Sequence, residues 1–158
     1  MPELTHFNAA GLPRMVDVSD KDKTAREAVA RAVVALNPET FALVRGGKMK
    51  KGDVIAVAQV AGIMAAKRAA EIIPMCHPVS LTGVDLSFEF RCRTHEIVIT
   101  AAARCVGETG VEMEAMTAAS AAALTVYDMC KAAQRDIEIR SVRLLKKSGG
   151  KSGEFVLE

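Results

Sequence analysis

Asp128 and Lys131 stand three residues apart in a stretch of helical spacing, which places a carboxylate and an ammonium on one helix face within reach of each other. On an open surface such a pair is a weak, solvated ion pair. Here Leu124, Val126, Met129 and Cys130 flank it, and a half-buried apolar setting shifts pKa values so that the pair can donate and accept protons. An Asp near a helix C-terminus also opposes the dipole, which favours cations there. A local rule broken without visible gain points to function.

The same helical stretch carries Glu112, Met113 and Glu114 at its other end. Glu112 closes a Thr-x-x-Glu capping box with Thr109, and Glu114 profits from the helix dipole, so both have complete structural explanations. A carboxylate in this place would equally accept hydrogen bonds from an amine-rich base edge, and the residues alone leave the two readings even.

Met75-Cys76-His77-Pro78 adds a thiol beside an imidazole. Zinc needs four spaced ligands, and no second close Cys/His pair is present. Adjacent side chains point apart, so Cys76 reads as a buried thiol rather than a nucleophile. His77 is as well explained by a turn bonded to backbone as by a ligand-facing role. Basic residues gather around glycines: Arg45, Lys48, Lys50 and Lys51 in one loop, Lys67 and Arg68 on the following helix, and Lys146, Lys147 and Lys151 around Gly149-Gly150. Glycine lets backbone N–H groups approach phosphate, and a helix start adds positive potential. Each patch alone reads as solvated lysines; together they suit a polyphosphate. Gly150-Lys151-Ser152 is not a nucleotide-binding P-loop, because the earlier glycine position holds Leu145 and no helix follows.

Composition narrows the classes. The 158 residues suffice for one domain with a sizeable core, half of them hydrophobic and only 4% aromatic, so the core is aliphatic and rich in Ala and Met. A net charge of +2 is too small to argue for nucleic acid. Cys76, Cys92, Cys105 and Cys130 are scattered through apolar segments without a C-x-x-C pair, as expected of reduced thiols in the cytoplasm. The N-terminal residues show no secretory pattern, and Lys, Arg or Asp interrupts every apolar stretch.

These residues need elements to hold them. Thr109–Ala133 is expected to form one long helix, with an alanine middle and charged ends. Glu114 and Asp128 then lie roughly 21 Å apart along its axis, so one small ligand reaches both only if a second copy brings one end to the other. Met1–Arg14 reads as a tail and Met15–Val18 as a short strand. Thr24–Leu36 carries apolar residues at amphipathic-helix spacing, Pro38–Val44 forms a shorter helix, and Asp53 opens a helix that runs to Ile73. Leu81–Arg93 and Glu96–Val106 alternate as a hairpin, Asp136–Lys147 as a last strand, and residues 146–153 form a basic Gly/Ser loop. The whole predicts a single α+β domain over residues 1–158, a mainly antiparallel sheet with helices on one face.

Seven short motifs occur in order: LTHFN, MVDVS at Met15, KGDV at Lys51, CHP at Cys76, GVEMEA at Gly110, YDMCKA at Tyr127 and KSGGKSG at Lys147. In these the chain resembles the cyclic pyranopterin monophosphate synthase family, the molybdenum cofactor biosynthesis protein C, with Met75 in place of that family's Leu. The resemblance implies a ferredoxin-like fold, a hexamer built as a trimer of dimers, and a lyase that needs no metal or organic cofactor. Its substrate would be 3',8-cyclo-7,8-dihydro-GTP, and its products cyclic pyranopterin monophosphate and diphosphate. It implies that Asp128 and Lys131 are the catalytic pair, that Met75, Cys76, His77, Met113 and Glu114 bind substrate, and that Lys51 and Lys147 serve the same pocket, where Glu112 is a further candidate contact. The alternatives are a non-catalytic nucleotide- or pterin-binding oligomer and a purely structural assembly. Both leave Asp128 and the Met75–Pro78 turn without a purpose.

Overall fold

The computed structural model describes residues 6–157, so residues 1–5 of the expected tail lie outside it. His6–Arg14 forms a hydrogen-bonded turn, bridged between Phe7 and Pro13 and tied by the Asn8 side chain to the N–H groups of Ala10 and Leu12. Thereafter come β1 (Thr24–Ala35), α1 (Pro38–Arg45), α2 (Val54–Ala66), α3 (Ala69–Ile72), β2 (Leu81–Arg91), β3 (Glu96–Gly107), α4 (Glu112–Cys130), β4 (Glu138–Ser148) and β5 (Phe155–Val156).

The strands make one antiparallel sheet in the order β2-β3-β1-β4-β5. The first four strands and their helices follow the β-α-β-β-α-β succession of a ferredoxin-like fold. Helices α2 and α4 lie on the same side of the sheet, α4 across β1, β3 and β4, and α2 against α4 and β2. The α+β class with helices on one face is therefore observed.

The expected helix at Thr24–Leu36 is instead the central strand β1, paired on both sides. Its apolar residues satisfy a period of 3.6 and a period of 2 at once. Ala28, Ala30, Ala32 and Val34 are all 0% exposed beneath the helices, the alternation of a strand with one covered face. Across the register Ala28 meets Ala103 and Ala30 meets Ala101. Pairing with β3 and β4 overrides the helix propensity of alanine, with β-branched Val29, Val33 and Val34 helping. Met15–Val18, expected as a short strand, has no regular secondary structure and pairs with no strand among the described residues.

Asp53 caps α2 as expected, its carboxylate accepting from the Ala56 N–H at 3.0 Å, but the helix stops at Ala66 and only a short turn, α3, resumes beyond Lys67-Arg68. Asn37 caps α1 in the same way. The basic loop is shorter than residues 146–153, since Lys146–Ser148 belong to β4. No helix among the described residues is long and apolar enough to cross a membrane.

Helix α4 owes its seat to small side chains. Ala115, Ala118, Ala119, Ala122 and Ala123 are all 0% exposed, so its axis approaches both the sheet and α2 closely. Gly62 of α2 completes the contact: a Cβ there would lie 2.6 Å from Leu86 Cδ2 and 3.0 Å from the Ala118 carbonyl oxygen. Leu86 can rotate away, but the carbonyl cannot. Gly62→Val is expected to cost about 1–3 kcal/mol by overpacking, read as a lowered urea midpoint at unchanged m-value.

Candidate functional site

The two ends of α4 each gather part of the chemistry. At its start the helix begins at Glu112, with Val111 as N-cap and no side-chain cap, so the expected Thr109–Glu112 capping box does not form. The Glu112 carboxylate instead folds back over Gly110, where a Cβ would meet its Oε2 at 2.0 Å, and reaches the Lys147 ammonium at 3.9 Å. Gly110 leaves the space for that turn. Lys147 also donates to the Ser152 hydroxyl.

Around this helix start lies a cleft of about 290 Å³ lined by Met75, Cys76, His77, Glu112, Met113 and Glu114, together with Val16, Val18 and Lys21. The structure thus brings together every residue expected at this end, with Lys147 joined through Glu112. Lys21 and the Met15–Val18 segment are additions that the sequence reading missed. The signal available was local: Asp17 accepts from both the N–H (2.9 Å) and the hydroxyl (2.5 Å) of Ser19, and the Lys21 N–H bonds the Val18 carbonyl at 3.0 Å, making a turn that Asp-x-Ser announces. Those two hydrogen bonds hold the Asp17 carboxyl below its ordinary pKa. The same segment also fixes His77, whose Nε2 lies 2.6 Å from the Val16 carbonyl. A carbonyl only accepts, so Nε2 is the donor in this contact.

Glu114 is 3% exposed, and its Oε2 has no hydrogen-bond partner among the described residues. Burial pushes its pKa up, with the neighbouring Glu112 charge adding to the effect. Its Oε1 lies 3.7 Å from Cys76 Sγ. Burial, reinforced by Glu114, raises the Cys76 thiol to about 11, so it stays protonated at neutral pH and a thiolate nucleophile is excluded. The site therefore offers a buried carboxyl with one oxygen unanswered, as a ligand bearing N–H donors would require.

At the far end, Asp128 Oδ1 lies 2.7 Å from Lys131 Nζ and its Oδ2 lies 3.1 Å from Lys51 Nζ, which also donates to the Asp128 carbonyl at 2.9 Å. Lys51, delivered by the loop before α2, thus caps α4 and offsets the dipole that Asp128 opposes. The apolar flanks do not surround the pair. Val126, Met129 and Cys130 face the core, while Asp128 and Lys131 side chains are 57% and 52% exposed. Hydrogen bonds from Lys131 and then Lys51 lower the Asp128 pKa, and the bond to Asp128 raises that of Lys131. Both shifts favour the charged forms. Proton exchange at this pair needs an apolar cover that one chain does not supply.

The remaining basic patches diverge. Arg45 reaches Cys92 at 3.3 Å, whereas Lys48, Lys50 and Lys51 line an apolar cleft with Leu43, Met49 and Met129. Among the described residues no group of three or more His, Cys, Asp or Glu is placed to hold a metal ion.

A family model described as the MoaC family matches residues 15–150. Proteins named cyclic pyranopterin monophosphate synthase are similar over almost the whole chain. That of Peptoclostridium acidaminophilum is 55% identical over 156 residues, 99% of this chain and 98% of its own. Those of a Thermoanaerobacter species (strain X514) and Brevibacillus brevis are both 57% identical, covering 98% and 97% of this chain and 98% and 95% of their own. The chain belongs to the MoaC family.

Glu114 yields a pH prediction. Its folded pKa lies above the unfolded value, so its contribution to stability is greatest below about pH 4 and is lost as pH rises through the folded pKa. Glu114→Gln is expected to stabilise the protein at neutral pH by on the order of 1–2 kcal/mol. That gain should vanish below about pH 4 in urea unfolding measured across pH.

Proposed function

We propose that this MoaC-family chain is a cyclic pyranopterin monophosphate synthase, a lyase of molybdenum cofactor biosynthesis. It converts 3',8-cyclo-7,8-dihydro-GTP to cyclic pyranopterin monophosphate with release of diphosphate, in the cytoplasm. The relatives carry that name over their full lengths, and the observation that carries the reading is the division of charged groups between the two ends of α4.

Glu114 and Glu112, with the backbone and His77 of the Met75–Pro78 turn, bind the base edge. Glu114 Oε2, unanswered in the protein, accepts from the N–H groups of the guanine-derived ring. Lys131 is the general acid in ring opening and Asp128 its partner and proton acceptor, with Lys51 holding Asp128 in place through the 3.1 Å contact. The lysines offset charge as diphosphate leaves.

Because roughly 21 Å of helix separates the two ends, one ligand meets both only where a second copy sets its own α4 C-terminus over this cleft. The exposed Asp128–Lys131–Lys51 cluster is then covered and desolvated, which brings its protonation states within reach of catalysis. A homohexamer arranged as a trimer of dimers supplies such sites between subunits.

Purified protein incubated with 3',8-cyclo-7,8-dihydro-GTP is expected to release pyranopterin and diphosphate, detected by mass. Ligand recovered unchanged would establish instead a pterin- or nucleotide-binding module. Lys131→Ala should abolish single-turnover product formation while leaving ligand binding measurable; normal turnover would remove Lys131 from the chemistry.

The shared site has its own test. Lys131→Ala and Glu114→Ala proteins, each inactive, should regain roughly a quarter of wild-type activity after subunit exchange, since half the mixed dimers hold one intact site of two. No regain, or an active monomer by sedimentation, would place both helix ends in separate roles.

A further inference from the structure

We propose that Gln134 is a positioning residue for the reaction: through one hydrogen bond to the start of α1 it braces the supports of the two lysines that meet Asp128. That role rests on the reading above of Lys131 and Asp128, whereas the brace itself does not.

Helix α4 ends at Cys130, and Lys131 is the first residue of the connection to β4. Between Cys130 and Ile137 every residue is exposed except Gln134, which is 9% exposed. A segment with so little buried apolar surface is held by its hydrogen bonds. The N–H groups of Ala133 and Gln134 both bond the Cys130 carbonyl, at 2.8 and 3.1 Å, which sets the turn but not its place against the rest of the chain. Side chains do that. Gln134 Oε1 accepts from the Asn37 backbone N–H at 2.8 Å, and the Tyr127 hydroxyl donates to the Arg135 carbonyl at 3.0 Å.

Asn37 is also where the support of Lys51 begins. Its side chain caps α1 by accepting from the Thr40 N–H at 2.8 Å, and Thr40 and Phe41 seat that first turn in the core. The other end of α1 runs directly into the basic loop. There the Lys48 N–H bonds the Leu43 carbonyl at 2.9 Å, Met49 is buried, and the Gly52 N–H returns to the Met49 carbonyl at 3.1 Å. Lys51 therefore takes its position from α1, and Lys131 takes its own from the turn that Gln134 holds. The Asn37–Gln134 bond joins these two supports.

The ion pairs need such a brace. Each lysine meets one Asp128 oxygen, Lys131 at 2.7 Å and Lys51 at 3.1 Å. Exposed ion pairs are too weak to impose geometry on two loops. The Lys51 contact already stands near the ~3.2 Å limit of a good N–H···O bond, so a small drift of either loop releases it.

The test uses the full-length oligomer with Gln134→Met, which keeps the bulk and loses the acceptor, Gln134→Glu, which keeps an acceptor oxygen, and Ile99→Val as a core control. In hydrogen exchange of the ligand-free protein, Gln134→Met is expected to exchange at least about tenfold faster in both residues 131–135 and residues 46–52, the effect of one unanswered N–H. Gln134→Glu and Ile99→Val should match wild type in both segments. In turnover, Gln134→Met should lower kcat about tenfold with little change in KM, since a misplaced proton donor weakens the transition state rather than binding. Gln134→Glu should restore it. Unchanged exchange in either segment, a kcat loss that Gln134→Glu does not restore, or the same loss in Ile99→Val overturns the proposal. If Gln134→Met does not fold, Tyr127→Phe loosens the same turn and decides by the same two measurements. A wild type that never converts the cyclised nucleotide would defeat the proposed reaction, and exchange would still decide the brace. Conversion untouched by Gln134→Met would remove Gln134 from positioning and leave the reaction standing.

Discussion

Close approach between α4 and its neighbours is the constraint on which the rest of the molecule depends. A helix faced with leucine would stand further from the sheet; one faced with Ala115, Ala118, Ala119, Ala122 and Ala123 settles against strands that are themselves alanine-rich, and Gly62 lets α2 close from the side. Around α4, dispersion between many small groups at short range takes the place of large aromatic side chains, which make up only 4% of this chain. The depth of that seat fixes the height of both helix ends above the sheet. It therefore decides that Glu114 is sealed while Asp128, five residues beyond the last sealed alanine, stands in solvent.

The two ends consequently have opposite electrostatics. At the start, burial works against charge, raises the Glu114 pKa and leaves one of its oxygens unanswered. At the finish, two lysines stabilise the charged Asp128 in open water. The first end presents a buried carboxyl with an unanswered oxygen, and the second an exposed cluster of ion pairs. One environment does not compensate for the other within a chain, because the helix between them is rigid. In the assembly proposed above, a neighbouring copy would resolve both conditions with one surface.

A third feature binds the acid end to the cationic side of the molecule. The segment before β1 holds the His77 ring through the Val16 carbonyl, turns at Asp17–Ser19 and brings Lys21 into the lining of two clefts. Arg26 and the glycine loop close the other wall. Charge thus changes sign over a short path, from the Glu112–Glu114 carboxylates to Lys147, Lys21 and Lys151.

By itself the sequence determined which residues are candidates for chemistry, since acid–base pairs at helical spacing, helix starts at Asn37 and Asp53, and the Met75–Pro78 turn are local features whose physics acts over a few residues. The α+β class and the β2–β3 hairpin were equally legible, because alternation over a dozen residues is a strong local signal. Only the tertiary structure decided that Thr24–Ala35 is a strand, because its apolar residues fit both periods and pairing on two sides chose between them. Only it decided that Glu112 turns back to Lys147 instead of capping with Thr109, that the Asp128–Lys131 pair faces water while Val126, Met129 and Cys130 face the core, and that Lys21 lines the same cleft as Glu112 and Glu114. Each of these depends on what a side chain meets from a distant part of the chain. Spacing along the sequence specifies which residues share a face, and packing alone specifies what that face looks upon.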